Sequence, residues 1–214
     1  MSFSLNTDLF LWPTPAGAFH LAAEPAANGL RRFIAALLRE PVTPVVAEAR
    51  LQAWSGMESL DDAQDLVWRM QELGWLQGLP APRRAPEGPL EKVLPELLPR
   101  LTHGGKVLLA DAQGFYVSSQ GFPHEVAEEL SALAADIASV HQRRSGSLNR
   151  NLGLSGSAWG LIDAAGQSQV GFWPLYAGRE RFVLVVSGIP AFNRPQFVDL
   201  VWVLHQRYAM TQDT

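Results

Sequence analysis

Two short stretches and a handful of side chains carry residue types that could do chemistry. Gly104-Gly105-Lys106 sets a lysine behind paired glycines, as a phosphate-binding loop does. Such a loop also needs a wider glycine frame and a Ser or Thr opening a helix, so that backbone amides converge on phosphate. Here Val107 and an apolar run follow, so a turn into a strand fits better. GLSGS, from Gly153 to Ser157, approaches the Gly-x-Ser-x-Gly nucleophile elbow. It lacks the second glycine, and no strand leads into the serine with a helix after it. His20, His103, His124, His141 and His205 lack the paired spacing of a metal site. His124 and His141 fall near the ends of an expected helix, which accounts for them without metal. The chain has no cysteine, which excludes thiolate nucleophiles, zinc–thiolate sites, iron–sulfur clusters and disulfides. The expectation is a protein with no catalytic, cofactor or metal site.

Side chains suited to contact are easier to find. Arg143, Arg144 and Arg150 form a small basic cluster, a solvated loop or a dock for an acidic partner. Trp159 and Trp173 sit in expected strands; exposed, they are candidate hot spots, and covered, they are core. Overall charge is −4, with 17 basic against 21 acidic residues. That balance argues against bulk electrostatic attachment to nucleic acid or to a polybasic-seeking membrane surface. The opening MSFSLNTDLFLWPTP lacks a basic start and a long apolar run, and no segment has the length of a membrane span. A cytoplasmic protein with no membrane insertion is expected.

The elements that must position these residues fall on either side of a proline-rich break, GLPAPRRAPEGPL. Proline removes an amide donor and fixes φ, so this stretch predicts an extended linker. The expected division is a domain over 1–79, a linker over 80–89 and a domain over 90–214. In the first domain, alternating Leu9, Leu11 and Phe19, Leu21 around Pro-Thr-Pro-Ala-Gly predict a hairpin. Asn28 caps a helix carrying Leu30, Phe33, Ile34, Leu37 and Leu38, which Pro41 stops. Thr43-Pro44 reads as the start of a second helix running to about Trp54. Ser59 or Asp61 caps a third, Gly74 ends it, and WLQGL reads as a strand. Helices followed by a strand resemble a winged-helix domain. Its third helix holds Asp61, Asp62, Asp65 and Glu72 against Arg69 alone, a charge that phosphate repels. Protein docking or a structural role is favoured over DNA binding.

The second domain predicts helix, two strands, helix, three strands, helix. This is an α+β pattern around a five-stranded antiparallel sheet. The long helix is expected from about Pro123 to His141, with a loop from Gln142 to Gly156. Its hairpin reads VLLADAQGFYVSSQG, with Asp111, Gly114 and Gly121 at the turn and strand ends, and EVAEELSALAADIASV follows. On these patterns, Leu90 to Ala209 resembles the Roadblock/dynein light chain family. Profilin-like, longin and PAS-like folds share the layout. The Gln142–Gly156 stretch and the aromatic strand residues Trp159, Phe172 and Trp173 depart from the family pattern. The resemblance implies a non-enzymatic adaptor that dimerises, with long helices side by side and sheets edge to edge. It also implies a Ras-like small GTPase, or another protein complex, as partner. The alternative is a transcription regulator with a winged helix on DNA and a dimerising or ligand-sensing second domain.

Two stripes run along the long helix. Val126, Leu130, Leu133, Ile137 and Val140 are assigned to the helix's own sheet. Ala127, Ser131, Ala134 and Ala138 are assigned to the dimer seam, with Trp159, because small residues admit a second helix closely. Glu128, with Glu125, Glu129 and Asp136, is placed at the rim, facing water or a partner. Alanines that merely favour helix would read the same way.

Overall fold

A computed structural model of the chain describes residues 8–25, 28–154 and 156–209. The first seven residues of MSFSLNTDLFLWPTP lie outside them, as does Ser155 of the GLSGS motif. The chain divides into two compact units. One runs to Glu87 and resumes at Phe197; the other is Gly88–Gln196.

The first unit is built on a two-stranded ribbon, β1 (Phe10–Pro13) antiparallel to β2 (Leu76–Leu79). Between them come α1 (Pro15–Ala22), α2 (Gly29–Arg39), α3 (Glu48–Ser55) and α4 (Leu60–Glu72). Asn28 and Ser59 cap α2 and α4 through their side-chain oxygens, accepting from Arg31 N and Asp62 N. The expected hairpin over Leu9–Leu21 is instead a strand followed by a helix. Thr14 caps α1, Pro15 is preset for its first turn, and β1 takes its partner from β2. Thr43 does not start a helix either, and α3 begins at Glu48. Thr43 is buried, and its hydroxyl accepts from Arg83 N at 2.8 Å while Thr43 N donates to Arg83 O at 2.8 Å. The proline-rich stretch is thus extended but pinned, with Ala85 N also donating to Pro41 O at 3.0 Å. It belongs to the first unit as far as Glu87.

The closing helix α7 (Pro195–Leu204) was assigned by the sequence to the second domain, yet from Phe197 onward the chain groups with the first unit. Every residue from Phe197 to Leu204 is buried, so α7 is not a surface helix with one apolar stripe. Trp202 meets Trp12 edge to face at 5.0 Å and donates from Nε1 to Glu40 O at 3.0 Å. Asp199 accepts from Arg83 Nη2 at 2.6 Å, and the Arg83 guanidinium also lies 4.8 Å over the Trp12 ring.

The second unit contains α5 (Leu90–Leu97), a 3-10 turn (Leu98–Leu101), β3 (Val107–Asp111), β4 (Tyr116–Gln120), α6 (His124–Leu152), β5 (Trp159–Ile162), β6 (Ser168–Ala177) and β7 (Glu180–Ser187). The strands form one antiparallel sheet in the order β4-β3-β7-β6-β5. Mixed helix and antiparallel sheet is therefore the observed class. Alternation along the strands sends Leu108, Ala110, Phe172, Val183 and Val185 to the face that α6 covers. The helix α6 does not stop near His141. It takes in the Gln142–Leu152 stretch expected as loop, because nothing there breaks a helix except Gly146, which helices tolerate at a cost of about 1 kcal/mol. Gly153 ends it with φ +65°, its N–H returning to Asn149 O at 2.9 Å.

Candidate functional site

Several residues first considered for chemistry make structural contacts. Gly104 to Lys106 is the turn into β3. A Cβ on Gly105 would fall 1.8 Å from Ser187 O, so this glycine serves the close approach to β7. Lys106 extends over the Phe122 ring at 5.7 Å. His20 stacks on Trp75 at 4.0 Å; burial, then the nearby Arg31 charge, lowers its pKa. His103 Nδ1 lies 3.2 Å from Arg194 Nη2. His124 links Tyr116 OH, at 2.8 Å from Nδ1, with Glu128 Oε1, at 3.5 Å from Nε2. Among the described residues no group of three or more His, Asp or Glu could hold a metal ion.

The surface that stands out is the outer side of α6 with its neighbour β5. The small stripe is not on it. Ala127, Ser131, Ala134 and Ala138 are buried in the unit's own core, against Leu108, Ala110, Phe172, Val183 and Val185. Ser131 keeps its hydroxyl satisfied within the helix, donating to Ala127 O at 2.7 Å. This reverses the assignment made from the sequence, which put those four residues at a dimer seam. Close approach explains it: a helix lying near large strand side chains needs small ones of its own. The hairpin turn is tight on the helix too, a Cβ at Gly114 falling 3.2 Å from Ala132 Cα.

The large stripe is divided: Leu130 and Ile137 pack against that core, as expected, while Val126, Leu133 and Val140 face outward. Val126, Leu133 and Val140 are 39 %, 39 % and 42 % exposed, with Leu130 and Ile137 half-buried between them. Beside them, β5 is the sheet's end strand, and all four of its residues are exposed. Trp159 joins the two elements. Its Nε1 donates to His141 Nδ1 at 3.1 Å, and its ring stands edge-on to the imidazole at 6.1 Å. Leu133, Asp136, Ile137, Val140 and Trp159 line a groove of about 240 Å³. Leu161 and Ile162, which the sequence reading passed over, continue the apolar surface along β5. Their signal was a short apolar run in a strand expected at the sheet's end.

The remaining candidates scatter around this surface. Glu128 is exposed on the first turns of α6, beside His124. Arg143, Arg144 and Arg150 are exposed on the last turns of α6 and not on a loop. Trp173 is half-buried and packs edge-on against Phe192 at 5.0 Å, a structural position. In the first unit, α4 exposes Asp61, Asp62, Asp65, Trp68 and Arg69, and Met57, Asp62, Asp65, Leu66 and Arg69 line a groove of about 280 Å³.

No protein-family model matches this sequence, and no curated protein matches it. Solved structures of Roadblock/LC7 type resemble part of the chain. A Roadblock/LC7 domain from Streptomyces avermitilis is 18 % identical over 58 % of this chain and all of its own, with a TM-score of 0.41. The gliding protein MglB from Thermus thermophilus is 18 % identical over 57 % of this chain and 93 % of its own, with a TM-score of 0.37. An MglB with tetrameric arrangement is 19 % identical over 57 % of this chain and 92 % of its own, with a TM-score of 0.38.

Proposed function

We propose that this chain is a non-enzymatic regulatory or scaffolding adaptor. Its second unit, Roadblock-like, pairs with a second copy, and the pair engages a Ras-like small GTPase or another protein complex. The observation that carries the proposal is the apolar outer face of α6 lying next to an unpaired strand edge. Large apolar side chains grouped on one face of a surface helix mark contact surfaces. An open strand edge offers unpaired N–H and C=O groups to another strand. The GTPase as partner class comes from the family resemblance of the Leu90–Ala209 stretch. A winged-helix-like first unit would present protein-docking surface rather than DNA-binding surface, since the exposed side of α4 carries Asp61, Asp62 and Asp65.

The test has two arms. Sedimentation of the intact chain should give a dimer. Affinity capture followed by mass spectrometry should return a small GTPase whose GTP hydrolysis changes when the purified chain is added. A monomer, or a captured partner set without a GTPase together with salt-sensitive DNA binding, would reject the proposal in favour of a transcription regulator.

A further inference from the structure

Two rows of side chains run side by side along α4 in the first unit. Asp61, Asp65, Trp68 and Glu72 follow one another at steps of four, three and four residues, and all are exposed. Asp62, Leu66, Arg69 and Leu73 repeat those steps one residue on. At 3.6 residues per turn, each row keeps to one side of the helix. Ala63, Val67 and Met70, which are buried, face away from the first row. Asp62, Leu66 and Arg69 of the second row wall a groove of about 280 Å³ together with Met57 and Asp65. Leu73, 47 % exposed, and Trp68, 42 % exposed, carry the apolar surface on toward the end of the helix.

Helix stability accounts for only part of the charge beside this groove. Asp61 and Asp62 suit the positive end of the helix dipole, but Glu72 is the last residue of α4, where a negative charge is unfavourable. Among the described residues, none of Asp61, Asp62, Asp65 and Glu72 enters an ion pair, although Arg69 stands between them. The carboxylates are also too drawn out to share a metal. Asp61 and Glu72 lie about 16 Å apart along the axis at 1.5 Å per residue, and no group of three or more acids among the described residues could hold an ion. Nucleic acid and an anionic lipid surface both carry the wrong sign. A line of separated carboxylates beside an apolar groove fits a line of separated cations beside apolar side chains. A basic amphipathic helix has both features, and such helices bind by laying the apolar face into a groove.

We infer that α4 docks a basic amphipathic helix of about three turns from a partner protein. Apolar side chains of that helix enter the groove at Met57 and Leu66 and continue onto Leu73. Its arginines or lysines lie along Asp61, Asp62, Asp65 and Glu72, and one of them covers the Trp68 ring, whose face attracts a cation. The inference rests on the docking role proposed above for the first unit and names the chemistry of the partner.

The probe is a labelled synthetic helix of about twelve residues of alanine, leucine and arginine, with arginines flanking a leucine stripe. Fluorescence anisotropy should show it binding the intact wild-type chain. Trp68→Ala should weaken binding about tenfold, and Trp68→Phe should keep most of it. Asp61→Asn with Asp65→Asn should weaken it about tenfold at low salt, with the difference shrinking as salt rises. Glu91→Gln with Glu96→Gln, which removes two exposed carboxylates from α5, should leave binding unchanged. Replacing the peptide's leucines by serine, or its arginines by glutamine, should abolish binding. Circular dichroism and urea midpoints matching the wild type confirm that each variant is folded. No binding by the folded wild type overturns the inference, as does equal weakening by the α5 pair, which would mark general attraction of charge. A concentration-dependent assembly of the wild type that Trp68→Ala and the Asp61, Asp65 pair both remove would show a second copy on this face, and overturns it too. A chain that captures a GTPase yet ignores the peptide loses this inference alone. A chain that binds the peptide but neither pairs nor captures a GTPase loses the earlier reading alone.

Discussion

Leu133→Ala and Ala134→Leu are neighbouring substitutions with opposite expected consequences. Leu133 is 39 % exposed on the outward face; Ala134 is wholly buried against the sheet. Leucine to alanine removes about three carbons, worth about 0.8 kcal/mol each on full burial. Scaling by the exposed share leaves about 1 kcal/mol for covering Leu133 in an interface, and about 2 kcal/mol for both copies in a dimer. Leu133→Ala should therefore raise the dimer dissociation constant about thirtyfold. Because part of the side chain is already buried, it should also lower the stability of the monomer by about 1 kcal/mol. Ala134→Leu instead forces extra carbons between helix and strands and should cost about 1–3 kcal/mol of folding stability. Sedimentation equilibrium measures the first quantity and urea titration under monomeric conditions the second. If Ala134→Leu blocked association at unchanged stability while Leu133→Ala left association intact, the small stripe would be the seam and the orientation of α6 described here would be refuted.

Further expectations concern single side chains. Gly17→Ala should destabilise by more than about 2 kcal/mol, although alanine ordinarily improves a helix by about 1 kcal/mol, because its Cβ would lie 2.1 Å from Trp75 O; a rise in melting temperature would contradict that contact. Burial raises the pKa of Asp199 against the opposing pull of Arg83. An acid whose folded pKa is raised contributes stability that is full below its unfolded pKa and lost as pH climbs through the folded pKa. Arg83→Ala leaves that carboxylate alone and should cost about 2 kcal/mol near neutrality and progressively less toward pH 4. Asp199→Asn should lose this pH dependence, and denaturant titrations across pH check both.

Local signals in the sequence were legible where the physics is local. Asn28 and Ser59 cap the helices they precede, Gly74 follows α4 with φ +66°, and β2 falls within WLQGL. Hairpin and helix around Asp111 are equally plain, with the Asp111 carboxylate accepting from Gln113 N and Phe115 N at 2.9 Å. What failed depended on distant partners. The alternation of Leu9, Leu11, Phe19 and Leu21 looks like a hairpin until β2, far along the chain, claims β1. Two stripes on α6 were both visible, but which one meets the sheet depends on how near the helix lies. The helix's length was hidden because Ser145, Gly146 and Ser147 are loop-like by composition, yet none of them stops a helix. The allegiance of α7 rests on Trp202 finding Trp12 and Glu40, a contact no periodicity announces. The same limit applies to the outward surface: of the stripe assigned to the sheet, Leu130 and Ile137 reach the core, while Val126, Leu133 and Val140 are left outside.

The central claim is that the outward face of α6 joins two copies of the chain. Sedimentation equilibrium of the intact protein beside Ile137→Glu tests it most directly, because a charge at that half-buried position disrupts a covered apolar layer. A dimer is expected for the wild type and a folded monomer for the variant. A monomeric wild type, or a variant that remains as dimeric as the wild type, would contradict it.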